Sequence, residues 1–415
     1  MNYERGLEGL RVLDLSGDRG AYCGRILADF GADVIKIEPV TGDPSRKIGP
    51  FYKNKSGPDN SFYFYHLNMN KRGITLNLES TKGKDLFKQL VKSATIVIES
   101  YRPGYLAKLG LDYQSLQKVK SDIILTSVTP YGQDGPYSAY DSSDLVADAM
   151  SGWMYTIGDP DRSPVRVGVP QVYMHTGGQA AMATLVAHSF WEATGNGQHV
   201  DVAVHGAISQ ANFNAVSFWD LRKFVLPRSG PYRQGMSQVT KQLELFECKD
   251  GFIAFLLIGG ALGSPTNKGL VKWMTELNET PKTFKETNWD SFDQATAPPA
   301  VIAALDKDLS SFFIKHTMDE IFKAGQKYRM MITPVNTPKQ IMECPQLEVQ
   351  QYWQTVKHPE WGEFKVGNCP PRVSTGSLGF IRHAPKLGEH NTEIFTKELK
   401  VKAAEMAELK KAGII

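Results

Sequence analysis

The sequence predicts an α/β protein, built on a parallel, doubly wound sheet and followed by a smaller α/β domain. Three observations predict it. Short apolar runs alternate with amphipathic stretches from residue 11 to 128, and such alternation is how βα units of a parallel sheet read. A second strand-and-helix pattern occupies 240–335, after a Pro/Gly-rich stretch. The composition is that of a globular chain, with 41% hydrophobic and 22% charged residues over 415 positions. That length allows two or three domains with sizeable cores.

The elements follow in order. Arg11–Leu15 is a short apolar run that ends in Ser16-Gly17-Asp18-Arg19-Gly20 and leads to helical spacing over Cys23–Phe30. Ala32–Glu38 reads as the second strand and Ile74–Leu78, by alternation, as the third. Thr81–Ser93 is an amphipathic helix, and Ala94–Glu99 and Ile123–Val128 are the fourth and fifth strands. Residues 141–205 are mostly helical around a Pro/Gly-rich interruption at 158–170, with a helix over Thr176–Glu192 and a strand over His199–Val204. The stretch 225–237 reads as a linker. Phe252–Leu257 is a strand of the smaller domain, and Pro334 and Pro338 mark the return. The segment 393–412 reads as one terminal helix, with Glu398 and Lys402 at i,i+4 spacing. The expected boundaries are 1–225 for the first part of the large domain, 226–335 for the small domain and 336–415 for the return.

Charge and cysteines narrow the function. Lys and Arg total 47 against 44 Asp and Glu, for a net charge of +3. That balance fits neither a nucleic-acid-binding nor a membrane-surface protein. Cys23, Cys248, Cys344 and Cys369 form no CxxC pair and have no His at ligand spacing, so neither a zinc site nor a disulfide framework is expected. The expected compartment is the reducing cytoplasm. The first residues lack the apolar core of a secretory signal, and no apolar run is long enough to span a membrane.

Several motifs bear on ligand binding. Ser16–Gly20 lies between a strand and a helix, where a helix N-terminus can hold a phosphate; it is not GxGxxG, and a turn that needs glycine explains it as well. Lys71-Arg72 sits before a strand, and Lys36, Arg46, Arg102 and Lys108 lie in, at or after strand ends. Gathered at one sheet edge they would suit a polyphosphate, although solvated surface charge is the simpler reading of each. His175 is expected to be a satisfied core histidine. Gly259-Gly260 is read either as a flexible loop over a site or as a strand-end turn. Phe51, Tyr52, Tyr63, Tyr65 and Trp153 would line an apolar pocket or fill the core.

Taken in order, several segments resemble the class III CoA-transferases, the CaiB/BaiF family. They are Gly6–Leu15; Leu27–Glu38 with Gly42-Asp43 and Arg46; Asn70–Leu78; Arg102-Pro103-Gly104 with Leu109-Gly110; Tyr131–Tyr137; Thr194–Gln198; and Leu387–His390. The resemblance implies a Rossmann-like large domain made of both chain ends, a small domain, and two chains interlocked as a ring-like dimer. It also implies covalent chemistry. An Asp carboxylate attacks an acyl-CoA thioester, the resulting anhydride is opened by the CoA thiolate, and the aspartyl-CoA thioester passes CoA to an acceptor acid. No bound cofactor is implied; a CoA thioester is the substrate. The matching positions for CoA are Asp18, Arg19, Leu76, Asn77, Leu78, Tyr101, Arg102 and Lys108.

The departures from the family are informative. The nucleophile opens an Asp-x-x-x-Gly pattern ahead of the helix that leads to Thr-Gly-x-Gly-Gln; here that pattern reads Tyr173-Met174-His175-Thr176-Gly177. A phenol, with a pKa of about 10, is mostly protonated at neutral pH and cannot form an acyl anhydride. Pro39 stands where relatives often have Arg, Glu79 where a Lys often holds CoA, and Lys108 where Arg is usual. Ser100-Tyr101 replaces Asn-Phe, and Arg19-Gly20-Ala21 replaces Ala-Gly-Pro. The His-Asp pair of the racemase branch is Ser143-Asp144 here, so racemisation is not expected.

These departures imply a chain that has lost the chemistry and works as the non-catalytic subunit of a heteromeric enzyme. Its partner would be a paralogous chain carrying the Asp, and anaerobic aromatic degradation is the setting expected for the pair. Two alternatives stay open. One is a self-sufficient homodimeric CoA-transferase or acyl-CoA isomerase using another residue, such as Asp144. The other is a non-catalytic CoA-binding protein.

Overall fold

The computed structural model describes residues 4–233, 241–369 and 371–415. The last residues of the expected linker, from 234 to 237, lie outside the described residues. The chain separates into two compact units. The larger holds the residues up to Trp153, Val167–Phe213 and Pro345–Ile415; the smaller holds Met154–Arg166 and Asn214–Cys344. The expected boundaries at 226 and 335 both fall inside the smaller unit.

The larger unit is built around six parallel strands. They are β1 (Arg11–Asp14), β2 (Asp33–Glu38), β3 (Arg72–Thr75), β4 (Ile96–Glu99), β5 (Ile124–Thr129) and β6 (His199–Ala203). Their order is β3-β2-β1-β4-β5-β6, and every neighbouring pair is parallel. The chain reverses its direction of travel across the sheet between β1 and β4, where ligands of open α/β sheets bind. Alternate side chains feed two cores, as a pleated strand dictates. Val12, Val34, Ile96, Ile124 and Val128 face α1 (Asp18–Asp29) and α7 (Val172–Thr194). Leu13, Ile35, Val97 and Leu125 pack on the other side with Leu86, Phe87 and Leu90 of the helix Thr81–Val91 and with the C-terminal residues Ile394 and Phe395.

The β3 strand differs from its expected span. It starts at Arg72 and ends at Thr75. The alternation over Leu76–Leu78 comes from burial of Leu76 and Leu78 in the core, not from strand pairing; the Asn77 amide bonds Ile414 O at 2.8 Å in the chain's terminal segment. The terminal helix is also two helices, Thr392–Glu398 and Ala403–Lys411. Lys400 adopts a φ of 60° between them, and Val401 is buried there. Glu398 therefore does not pair with Lys402; it binds Arg72 at 2.5 Å and Arg11 at 2.8 Å.

Helix α7 crosses α1 at close range. A Cβ on Gly177 would lie 2.7 Å from Tyr22 Cβ and 3.1 Å from Cys23 N. Thr184 of α7 is tied to Thr126 of β5 by a buried hydroxyl bond of 2.8 Å. Gly195, at φ 73°, ends the helix in the left-handed conformation that favours glycine. We expect Gly177→Val to force α1 and α7 apart at a cost of about 1–3 kcal/mol, seen as a lower urea midpoint; an unchanged midpoint would mean the helices can separate freely.

In the smaller unit β7 (Leu245–Cys248) and β8 (Gly251–Phe255) form a hairpin, with β9 (Ile332–Pro334) antiparallel to β8. Phe246, Phe255 and Phe313 stack edgewise in its core. Gly259 caps the helix Gly260–Glu276, and a side chain there would meet Phe292 O at 2.0 Å. Gly259-Gly260 is thus a strand-to-helix turn. Among the described residues no helix is long and apolar enough to cross a membrane, and no cluster of three His, Cys, Asp or Glu is placed for a metal ion.

Candidate functional site

At the switch point the loop after β1 meets the loop after β4. The Gly17 amide donates to Ser100 Oγ at 2.8 Å. Gly17 is also the N-cap of α1, without a side-chain cap, and Asp18 sits in the first turn. An acidic side chain there complements the positive end of the helix. Burial pushes the Asp18 carboxyl above its usual range, and the Asp43 charge adds to that, against Arg19 and Lys36.

Arg19 organises the neighbouring groups. Its Nη2 donates to Asp141 Oδ1 at 2.7 Å and to Ser142 O at 2.8 Å. Asp141 Oδ2 accepts from Arg102 at 2.7 Å, so one carboxylate ties the α1 start to the β4 loop. Asp141 was not singled out from the sequence; the only signal was a polar run, Asp141–Asp144, just ahead of a helix.

Tyr173 lies in the first turn of α7 and is 5% exposed. Its hydroxyl donates to Ser142 O at 3.4 Å and accepts from Arg19. Burial pushes its pKa up to about 12; the Asp18 and Asp144 charges add to the shift and Arg19 opposes it. Tyr63 is raised by burial and by the charges of Asp18 and Asp144 as well. At neutral pH position 173 therefore carries a neutral phenol held between a guanidinium and a carbonyl. That group can bind an oxyanion or fill space, and in its neutral form it is a poor nucleophile.

The other site positions fall into two sets. Asp18, Arg19, Tyr101 and Arg102 flank the switch point, joined by the Arg19–Asp141–Arg102 bridge. Leu76, Asn77 and Leu78 follow the edge strand β3, with both leucine side chains in the core. Lys108 is exposed in the last turn of the helix Tyr105–Leu109. Glu79 accepts a bond from Tyr105 OH at 3.2 Å.

Four of the six cations read as candidate phosphate ligands are committed internally. Lys71, fully buried, donates to Asp14 Oδ2 and Ala21 O at 2.7 Å and to Asn68 Oδ1 at 2.9 Å. Lys36 donates to Asp43 at 2.9 Å. Burial pushes Asp43 up, but Lys36 and Ser45 hold it below the usual range. Arg46 forks onto Glu38 at 2.6 and 2.7 Å and reaches Asp59 at 2.9 Å. Arg72 binds Asp33, Glu393 and Glu398. These cations hold loops to the sheet and are neither surface charges nor phosphate ligands.

The histidine and aromatic readings also change. His175 is exposed, with its ring edge-on to Trp153 at 5.4 Å, and is not a core residue. Tyr52 and Tyr65 pack on Trp361 at 5.6 and 5.0 Å, so both belong to a structural cluster. Tyr63 is linked to the Tyr173 site through charge, and Trp153 packs against the core cluster that holds Tyr173.

A 3-2-1-4-5-6 parallel sheet with a polar network at its switch point defines a ligand-binding α/β protein of the Rossmann-like class. The sequence model of CoA-transferase family III matches residues 7–391. The chain belongs to that family. It is 33% identical over 393 residues, 93% of each chain, to the succinyl-CoA:(R)-benzylsuccinate CoA-transferase subunit BbsE of Thauera aromatica. It is 29% identical to the succinyl-CoA–D-citramalate CoA-transferase of Chloroflexus aurantiacus, over 99% of this chain and 98% of that one. A CaiB/BaiF family protein from Brucella suis superimposes with a TM-score of 0.80 at 27% identity, covering 95% of this chain and 99% of the other.

Proposed function

We propose that this chain is the non-catalytic subunit of a heteromeric class III CoA-transferase that moves CoA between carboxylic acids, in the cytoplasm. Its partner is a paralogous chain that carries the Asp nucleophile. The observation that carries this reading is Tyr173, a buried neutral phenol in the register where the family resemblance puts Asp. Similarity to a relative named as a subunit of a benzylsuccinate CoA-transferase supports it and points to benzylsuccinate as the acid, with anaerobic toluene degradation as the setting. So does an apolar stripe along α7. Met182, Val186 and Phe190, spaced four apart, are 64%, 67% and 45% exposed. Large apolar side chains in a row on one helix face suit a protein partner.

Native mass spectrometry of the tagged protein from its own host tests the pairing. We expect a complex with a second class III chain of similar size bearing Asp in the Tyr173 register. A homo-oligomer would overturn the pairing and favour the homodimeric reading, in which Asp144 acts; the charge of Asp144 does reach Tyr173. CoA enters as a thioester substrate, and no resident cofactor is proposed. If CoA rests on this chain, Lys108 meets its phosphates, and Lys108→Ala should weaken CoA binding about threefold to tenfold at low salt, the difference shrinking as salt rises. Equal calorimetric affinities would remove Lys108 from the site.

A further inference from the structure

We propose that the cavity beside the end of β4 binds a small organic cation, an alkylammonium or amidinium group, with Glu99 as its anionic partner. The cavity encloses about 250 Å³, room for roughly eight groups the size of a water molecule. This site shares Arg102 with the bridge to Asp141 and Arg19 but does not depend on the reading of Tyr173.

Glu99 closes β4 and is 4% exposed. Its carboxyl accepts from the Tyr101 amide at 2.7 Å and from the Ser127 hydroxyl of β5. With its proton on Glu99, Ser127 Oγ accepts from His199 Nε2, 2.9 Å away. Both bonds use neutral donors. Among the described residues no lysine or arginine pairs with Glu99, and the charge acting on it, Asp201 of β6, is also negative. Arg102 lines the cavity but is bound to Asp141 at 2.7 Å. Asp112 adds a second carboxylate to the wall.

The rest of the wall suits an amine or amidine. Tyr113 stacks on His199 with centroids 5.6 Å apart, giving a flat aromatic wall that attracts cations. The Gln133 side-chain nitrogen is buried without a hydrogen-bond partner among the described residues; reversing that amide turns its oxygen inward as a further acceptor. Leu106 and Leu125 supply apolar surface for a short carbon skeleton.

The missing countercharge has a titration consequence. Burial pushes the Glu99 carboxyl up to about 7, Ser127 and the Tyr101 amide oppose the shift, and Asp201 adds to it. The other groups facing the cavity are His199 from β6, Arg102 from the loop after β4, and Asp112 and Tyr113 from the segment before β5. His199 is held below its usual range by burial, against the Asp201 charge. Between the ordinary carboxyl value of 4.5 and about 7, folded Glu99 keeps a proton that the unfolded chain has lost. Stability contributed by Glu99 therefore falls as pH rises through that window, and a bound cation restores it.

The test is calorimetry on the full-length protein, in its native assembly, with benzamidine and n-butylamine as probes and benzyl alcohol and n-butanol as neutral counterparts. At pH 8 the cations should bind at least about tenfold tighter than the alcohols, and below pH 7 their affinity should fall about tenfold per pH unit. Binding at pH 6 should release close to one proton, read from two buffers of different protonation enthalpy. Glu99→Gln should lose at least about tenfold in affinity. Gln133→Leu, at the cavity rim, should lose a few-fold with the fold intact, so the site stays testable if Glu99→Gln fails to fold. Equal binding of alcohols and amines, no pH dependence between 6 and 8, or no saturable cation binding up to about 10 mM would overturn the proposal.

Discussion

CoA transfer by the assembled enzyme is expected to survive Tyr173→Phe within about threefold, and to fall at least about a thousandfold when the partner chain's Asp nucleophile is replaced by Ala. The asymmetry follows from where the phenol sits. Its pKa is pushed up to about 12, so one molecule in ~10⁵ is ionised at pH 7. Acyl transfer to it would give an aryl ester, not the anhydride from which an aspartyl-CoA thioester forms. Phe keeps the ring in its buried seat beside α1 and loses the long hydroxyl bond to Ser142 O, 3.4 Å in the native chain. That loss, with Arg19 left one acceptor short, costs about 1 kcal/mol. Steady-state rates of the two reconstituted complexes decide the matter. A Tyr173→Phe complex as inactive as the Asp variant would place the phenol in the reaction and sink the supporting-subunit reading.

Lys71→Met is expected to lower stability by about 3–5 kcal/mol, the second large effect, because it strips the charge partner from a carboxylate that cannot reach water. Asp14 and the Lys71 ammonium are both fully buried, 2.7 Å apart, and the ammonium also satisfies Ala21 O and Asn68 Oδ1. Burial lowers the Lys71 pKa, with the Asp14 charge opposing it. Replacing both partners with apolar residues of similar volume, Asp14→Leu with Lys71→Met, should recover most of the loss. Urea denaturation of the single and double variants measures the coupling. A single variant within about 1 kcal/mol of the native protein would show that Asp14 is held by its other bonds, including the Ser16 amide at 2.9 Å.

The positions of the charges show where the sequence reading reaches its limit. Lys71 and Asp14 are 57 residues apart, and Arg46 and Glu38 eight apart across a loop. Residue type alone cannot tell a buried, paired lysine from a solvated one, because the countercharge arrives from another strand or from a loop that folds back onto the sheet. The surface reading of Lys36, Lys71, Arg46 and Arg72 failed for that reason. His175 failed differently. Its helix starts at Val172, four residues before the expected Thr176, and the side chain projects from the exposed face of α7 while Tyr173 and Gly177 face α1. Glu99 went unremarked because a carboxylate at a strand end is unexceptional until the cavity and the missing cation are seen together.

Local physics carried what the sequence determined by itself. Unbroken runs such as Ile96–Ile98 and Ile123–Leu125 bury both faces of a strand whatever lies far away, so the parallel sheet was legible. The order of family motifs, and the four-residue step from Tyr173 to Gly177, carry the proposal that a tyrosine stands in the nucleophile register, and both are read without any coordinates. Only the tertiary structure decided that this phenol is buried and clamped by Arg19, that Lys36, Arg46, Lys71 and Arg72 face inward, and that the C-terminal helix breaks at Lys400 so that Glu398 can reach Arg72 and Arg11. Each of these depends on which segments meet in space. Burial and countercharge set the energy of an ionisable side chain, and both come from partners that a linear pattern does not record.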